Sequence, residues 1–322
     1  TPSVSLGSHS VYAVATDNAS QVATSAVVAV AVLNPGVTIT APANETIFFS
    51  ATPVTVSAMA LLTTGSMTNV EFLVDGAKFG EDATSPFSAV WTGVSSGVHR
   101  LLAIGSDNLG NAYTSAPVAI AVAATLVSTG SVWNYLDTGS DQGTAWIAPG
   151  FDDSSWTNGP AELGYGDGGE ATVVGYGLDI NNKYITTYFR CDFNILRASD
   201  YTALRILLKR DDGPVVYLNG VELMRDNMPS GTITFTTLAT AAASDDGANF
   251  NVFNVPSVLL VDGRNVLAVE MHQNSVTSTD LSFDLGLLAV PIIPRNQPPT
   301  VAIATPTNHT EFIAPESISI IA

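Results

Sequence analysis

Acidic, glycine-rich stretches are where this sequence concentrates chemistry. Asp167-Gly168-Gly169-Glu170, Asp211-Asp212-Gly213 and Asp245-Asp246-Gly247 each place carboxylates in a loop whose glycines allow sharp backbone bends. Hard oxygen donors converging from loops are what calcium requires, and Asp167, Glu170, Asp211 and Asp212 are the candidate ligands. None of the three follows the twelve-residue EF-hand spacing, and Asp211-Asp212-Gly213-Pro214 also reads as a plain solvated turn. A second possible chemistry is sugar recognition, in which an aromatic face packs on the C–H side of the ring and planar polar groups pair with the hydroxyls. Tyr165, Tyr176 and Tyr184 lie in or beside one long loop, and Arg210, Asn219, His272 and Gln273 are candidate polar partners. The alternative for each tyrosine is core packing. Glu270 and His272 alternate with Val269 and Met271, so they share one strand face and form either a polar network or a ligand site.

Catalysis has less support. His9 and His99 occupy equivalent positions of a repeat, and His309 aligns with Glu45, which leaves His272. No G-x-S-x-G elbow, phosphate-binding loop or dinucleotide fingerprint occurs. The expectation is a chain that is not an enzyme. Cys191, between Arg190 and Asp192, reads as a small buried hydrophobe, with an intermolecular disulfide as the alternative.

The elements that must position these groups follow from repeats and periodicity. Residues 7–32 and 97–122 align without gaps at an offset of 90, with twelve of 26 positions identical, Gly7/Gly97, His9/His99 and Asp17/Asp107 among them. Residues 35–58 align with 299–322 at an offset of 264. Residues 35–124 therefore read as one complete repeat, 1–34 as the C-terminal part of an earlier copy, and 294–322 as a Pro-rich linker and the N-terminal part of a later one. The stretch equivalent to 59–90 is missing from both partial copies, and the expectation is a piece of a longer chain. Within the repeat the apolar period is two, as in Val54, Val56 and Ala58 or Val70, Phe72 and Val74, and Asp75-Gly76 is a tight-hairpin signal. Short, regularly spaced strands predict a β-sandwich.

Residues 125–293 carry no copy of this repeat. They hold 20 acidic and eight basic residues, a balance of −12, and three of the four tryptophans, Trp133, Trp146 and Trp156, which are expected in the core. Strands are expected at Tyr184–Phe193, Ala203–Leu208, Val215–Leu218, Ile233–Thr237, Val266–Met271 and Leu281–Leu288, with at most one turn of helix near 198–204. Strands joined by long loops predict a jelly roll.

Two resemblances sharpen this. The run VEFLVDGAKFGEDATSPFSAVW followed by GVHRLLAIGSDNLGN resembles bacterial Ig-like repeats. FDDSSWTNGPAELGYGDG, ITTYFRCDFNI, LLKRDDGPVVYLNGVEL and LLVDGRNVLAVEMHQ follow the motif order of galactose-binding-like jelly rolls, such as the sugar-binding domains of β-galactosidase-type hydrolases. DDGPVVYLNG is also similar to the Asp-Asp-Gly hairpin of adhesin domains of the anthrax-protective-antigen type. In those domains the Asp pair binds calcium and helps to hold a sugar, which the resemblance carries to Asp211 and Asp212. Arg210 before the pair and Pro214 after its glycine depart from that pattern.

The expected fold is all-β: Ig-like sandwich repeats in series with a galactose-binding-like jelly roll at 125–293. A net charge of −18, from 29 acidic and 11 basic residues, argues against nucleic acid as a partner. The longest apolar run, Ala26 to Leu33, is too short for a transmembrane segment. One cysteine excludes a disulfide framework within the chain. The functional expectation is a non-catalytic segment of a large secreted or cell-surface bacterial protein, with Ig-like spacers presenting an adhesive jelly roll. Its expected ligand is a glycan, in the set Tyr165, Tyr184, Arg210, Asp211, Asp212, Asn219 and His272, with calcium as the candidate cofactor. Two alternatives stay open: a structural subunit of an extracellular fibre, contacting neighbouring modules or identical subunits, and accessory modules of a secreted hydrolase.

Overall fold

The computed structural model describes residues 7–32 and 35–294. By compactness the chain divides into Thr1–Ile292 and Ile293–Ala322. The expected linker and further repeat at 294–322 lie outside the described residues, apart from Pro294.

The first strands are β1 (Gly7–Val11), β2 (Val14–Thr16), β3 (Val22–Thr24) and β4 (Val28–Val32). β1 pairs with β4 and β2 with β3, both antiparallel. The complete repeat contributes β5 (Gly36–Ala41), β6 (Thr46–Phe48), β7 (Val54–Leu61), β8 (Met67–Val74), β9 (Ala77–Asp82), β10 (Phe87–Trp91), β11 (Gly97–Asp107), β12 (Ala112–Thr114) and β13 (Val118–Val122). One sheet runs β10-β7-β5. The other runs β6-β13-β11-β8-β9, with β12 also on β11. Alternate residues of both sheets, Val37, Val54, Val56, Val70, Phe72, Leu101, Ala103 and Ile120 among them, meet in one core. Asp75 and Gly76 both have positive φ, 51° and 84°, which is the backbone a two-residue hairpin between β8 and β9 demands.

The C-terminal part of the repeat is built twice. Gly7↔Val32 through Val11↔Val28 has the same register as Gly97↔Val122 through Leu101↔Val118, shifted by 90. Asp17 Oδ1 accepts from the Ala19 and Gln21 amides, as Asp107 Oδ1 accepts from those of Leu109 and Asn111. What differs is cover. Leu101 and Ile120 are fully buried, whereas their equivalents Val11 and Val30 are 53% and 41% exposed.

The jelly roll comprises β14 (Ala124–Val127), β15 (Val132–Leu136), β16 (Thr157–Pro160), β17 (Leu163–Tyr165), β18 (Thr172–Val173), β19 (Thr186–Ile195), β20 (Tyr201–Asp211), β21 (Gly213–Leu218), β22 (Val221–Arg225), β23 (Asn251–Pro256), β24 (Gly263–His272) and β25 (Leu281–Pro291). Its sheets run β18-β17-β25-β20-β23, with β14 also on β25, and β16-β15-β19-β24-β21-β22. Phe283 joins the layers: it stacks on Phe189 at 4.1 Å and meets Trp133 edge-on at 5.0 Å. Only Ala123 separates β13 from β14, its amide donates to Phe48 O, and the Arg205 guanidinium lies 3.9 Å from the Phe49 ring centroid. The Ig-like sandwich thus runs straight into the jelly roll.

One expected strand does not form. Residues 233–237 make a turn closed by Thr237 N donating to Thr234 O. The carbonyls of Phe235 and Thr237 pair with Thr186 Oγ1 and His272 Nδ1, side chains of neighbouring strands, so no ladder is built there. The helical turn near 198–204 is a 3-10 turn at Ala198–Asp200.

Leu101 and Val11 give a matched pair for measurement. Leu101→Ala is expected to cost about 2–5 kcal/mol in urea unfolding followed by Trp91 fluorescence, because it leaves a cavity. Val11→Ala is expected to cost less than about 0.5 kcal/mol, because its side chain is already in water. Equal costs would contradict the difference in cover.

Candidate functional site: an acidic loop end

The three acidic loops meet at one end of the jelly roll. Oxygens of Asp167, Asp246 and Asp280 lie within 4.8 Å of one another. Glycines permit the approach: a Cβ on Gly166 would stand 2.7 Å from Asp280 Cβ, and one on Gly247 would stand 2.5 Å from Ser282 Cβ and 3.3 Å from Asp211 Cβ. Asp211 belongs to the same cluster. It is 2% exposed, and its Oδ2 has no hydrogen-bond partner. Burial, then the neighbouring carboxylates of Asp212, Asp280 and Asp246, push its carboxyl up to about 9. Burial likewise raises Asp280 above the usual carboxylate range. Among the described residues, no basic side chain forms an ion pair with Asp167, Asp211, Asp246 or Asp280.

Asp212, adjacent in sequence, does something else. Its Oδ1 accepts from the Ala243 amide and its Oδ2 from the Asn274 amide, both at 2.7 Å, so it latches two loops together and has few lone pairs left. Glu170 folds back on its own loop, accepting from the Asp167 amide, and backbone N–H groups hold its carboxyl below the usual range. Asp167 also accepts from Ser282 Oγ at 2.9 Å.

The candidate sugar contacts are mostly committed to the fold. Arg210 binds Asp226 at 2.8 Å and Asp245 at 3.3 Å. Asn219 sits in the β21–β22 turn at φ 53°; its amide group donates to Leu259 O and Asn265 Oδ1 and accepts from Val266 N. Tyr165 is 5% exposed, its hydroxyl accepts from Gln273 Nε2, and it stands with Tyr176 beneath the Lys183 ammonium. Tyr184 is half-buried over Gly139. His272 has no exposed surface: Nδ1 lies 2.9 Å from Thr186 Oγ1 and 2.8 Å from Thr237 O, and Nε2 lies 3.3 Å from Glu270 Oε2. Thr186, His272 and Glu270 have the spacing of a hydroxyl–base–acid line, yet a substrate would have no path to it. Glu270 and His272 instead belong to a buried polar network with Tyr217, beneath Trp146 and Tyr188. Burial raises the Cys191 thiol to about 12, which removes it as a nucleophile.

Sequence reasoning named the loop holding Asp246 but not that residue as a ligand, and it passed over Asp280. The one signal for Asp280 is its position immediately before the largely apolar strand segment that begins at Leu281.

Residues 35–103 match the family model described as bacterial Ig domain. No curated protein matches the chain. Among solved structures, the Clostridium thermocellum CbhA fibronectin(III)-like modules are 26% identical, covering 27% of this chain and 93% of that one, at a TM-score of 0.26. A β-glucuronidase of an uncultured Clostridium sp. is 14% identical over 52% of this chain, with a TM-score of 0.35. The Streptomyces avermitilis α-L-rhamnosidase is 12% identical over 79%, with a TM-score of 0.24. The chain spans 29% and 23% of those two hydrolases. The all-β assignment rests on the strand pairing described above.

The Asp211 carboxyl makes stability depend on pH with a definite sign. Its folded pKa is raised, so between about pH 4 and about pH 9 the folded state holds a proton that the unfolded state has lost. This contribution is complete below the unfolded pKa and is lost as pH rises through the folded one. With chelator present, the melting temperature is expected to fall between pH 5 and pH 9, and Asp211→Asn is expected to flatten that slope. An identical slope in the variant, read by differential scanning calorimetry, would refute the assignment.

Proposed function

We propose that the jelly roll is a non-catalytic, carbohydrate-binding head of a larger extracellular protein, that calcium orders its loop end, and that the Ig-like sandwich carries it as a spacer. The observation that carries this reading is the convergence of Asp167, Asp246 and Asp280, with the buried Asp211 carboxyl, one oxygen of which has no hydrogen-bond partner, in the same acidic loop end. The donor set is all carboxylate, with neither histidine nor cysteine, which suits a hard cation and disfavours zinc or copper. Asp167, Asp246 and Asp280 crowd one another with no basic partner, and a divalent cation would relieve that repulsion, displace the Asp211 proton and tie the loops together. The resemblance to sugar-binding jelly rolls supports a glycan as the ligand class. The direct passage from β13 into β14 supports the spacer role. No helix among the described residues is long and apolar enough to cross a membrane.

Calorimetry of the whole chain tests the metal. At a hundredfold excess over Kd, a cation that binds only the folded state adds about 2.7 kcal/mol, or roughly 5–10 °C in melting temperature. Calcium is expected to produce such a rise, and Asp246→Asn and Asp167→Asn are expected to abolish it. No rise at millimolar calcium would sink the reading.

A fibre or stalk role is favoured by a different feature, the exposed apolar face of the 7–32 hairpin with Val11 and Val30. On that reading the chain associates with rising concentration in light scattering, and Val11→Asp with Val30→Asp makes it monomeric. A monomer at every concentration counts against it.

A further inference from the structure

The outer face of the second jelly-roll sheet is divided. Its upper part lies beneath the 137–156 segment, where Trp146 and Trp156 cover Tyr188 and Ala268. Where that cover ends, a cleft of about 110 Å³ opens, lined by Asn134, Asp153, Arg190, Asp192, Arg264 and Val266, with Val132 on its rim. Strand pairing sets these side by side: Asn134 is opposite Arg190 across β15 and β19, and Asp192 is opposite Val266 across β19 and β24.

The floor is fixed. Arg190 is 1% exposed; its Nε donates to Asp153 Oδ2 at 2.7 Å, its terminal nitrogens donate to the Trp146 and Ala148 carbonyls, and its guanidinium lies 5.3 Å from the Phe151 ring centroid. Arg264 Nη1 donates to Pro149 O at 2.7 Å, and Nε stands 3.4 Å from Asp192 Oδ2. What remains available is a set of planar groups. The Asn134 amide makes no hydrogen bond among the described residues, and one oxygen each of Asp153 and Asp192 and the second terminal nitrogen of Arg264 are unused. Free donors and acceptors thus face one small cleft, whose apolar side is aliphatic, Val132 and Val266 with Cys191, in place of an aromatic ring.

From this we infer that the cleft binds a neutral sugar, accepting adjacent hydroxyls of one pyranose ring. The inference rests on the carbohydrate-binding reading above and places the ligand away from the acidic loop end. Adjacent hydroxyls both donate and accept, and they are matched by amide, guanidinium and carboxylate groups set side by side in the cleft. Two arginines balance two aspartates here, so the cleft is locally neutral within a domain of charge −12. A uronate would gain no net attraction in the cleft and would be repelled by the rest of the surface.

Affinity electrophoresis of the whole chain in galactan, mannan, xylan and polygalacturonate tests this, with Asn134→Ala and Asp192→Ala as variants. The expected result is retention by at least one neutral polysaccharide, weakened about tenfold in each variant. The melting temperature should stay unchanged, because neither side chain supports the core. Retention of both variants equal to the parent would overturn the cleft and leave the carbohydrate reading standing. Retention by polygalacturonate alone would overturn the neutral ligand. No retention of the parent by any of the four would overturn both the cleft and the reading it rests on.

Discussion

The jelly roll depends on a strand with no exposed residue. All eleven positions of β25, from Leu281 to Pro291, are buried, and the strand pairs with β14, β17 and β20. A strand covered on both faces can carry polar side chains only where something satisfies them. Asp284 accepts from the Gly130 amide, and burial raises its carboxyl above the usual range. Ser282 donates to Asp167. On the other face, Phe283 stacks on Phe189 and meets Trp133 edge-on. Asp280, one residue before the strand begins, thereby enters the loop end from a rigid base.

The domain's excess of acid is handled in three ways. Some carboxylates take a basic partner, as Asp153 does with Arg190, Glu162 with Lys209, and Asp226 and Asp245 with Arg210. Others take backbone amides, as Asp212 and Asp284 do. The third group, at the loop end, receives neither an arginine nor a lysine. Clustered acids raise one another's proton affinity, and that same field attracts a divalent cation. The sheet face treats charge differently: there Arg190 and Arg264 line one cleft with Asp153 and Asp192, and their charges cancel locally.

Between the two sandwiches the chain has almost no freedom. One residue separates β13 from β14, Ala121, Val122 and Ala123 are buried, and Arg205 caps Phe49. A flexible linker would let the jelly roll reorient, whereas a continuous strand path with buried joint residues fixes its direction relative to the Ig-like unit.

Period-two alternation made most strands legible, because a half-buried strand writes its burial into every second residue. The repeat was legible for the same reason, and Asp75-Gly76 announced its turn through the backbone angles those residues tolerate. Ile233–Thr237 alternates too, and even keeps alternate burial, yet its carbonyls are taken by side chains of β19 and β24, so pattern alone misplaced it. The three acidic loops could be identified as loops from composition. Nothing local said that they meet, that Asp212 would be spent on two amides while Asp211 stayed unpartnered, or that Asp280 would join them. The burial of Arg210 and His272, and the commitment of the Asn219 amide to three hydrogen bonds, were equally invisible. Sequence by itself determined the all-β class, the repeat and the acid-rich loops, since these depend on neighbours within a few residues. Tertiary structure alone decided which polar groups remain free, because each partner is brought in by strand pairing from tens of residues away.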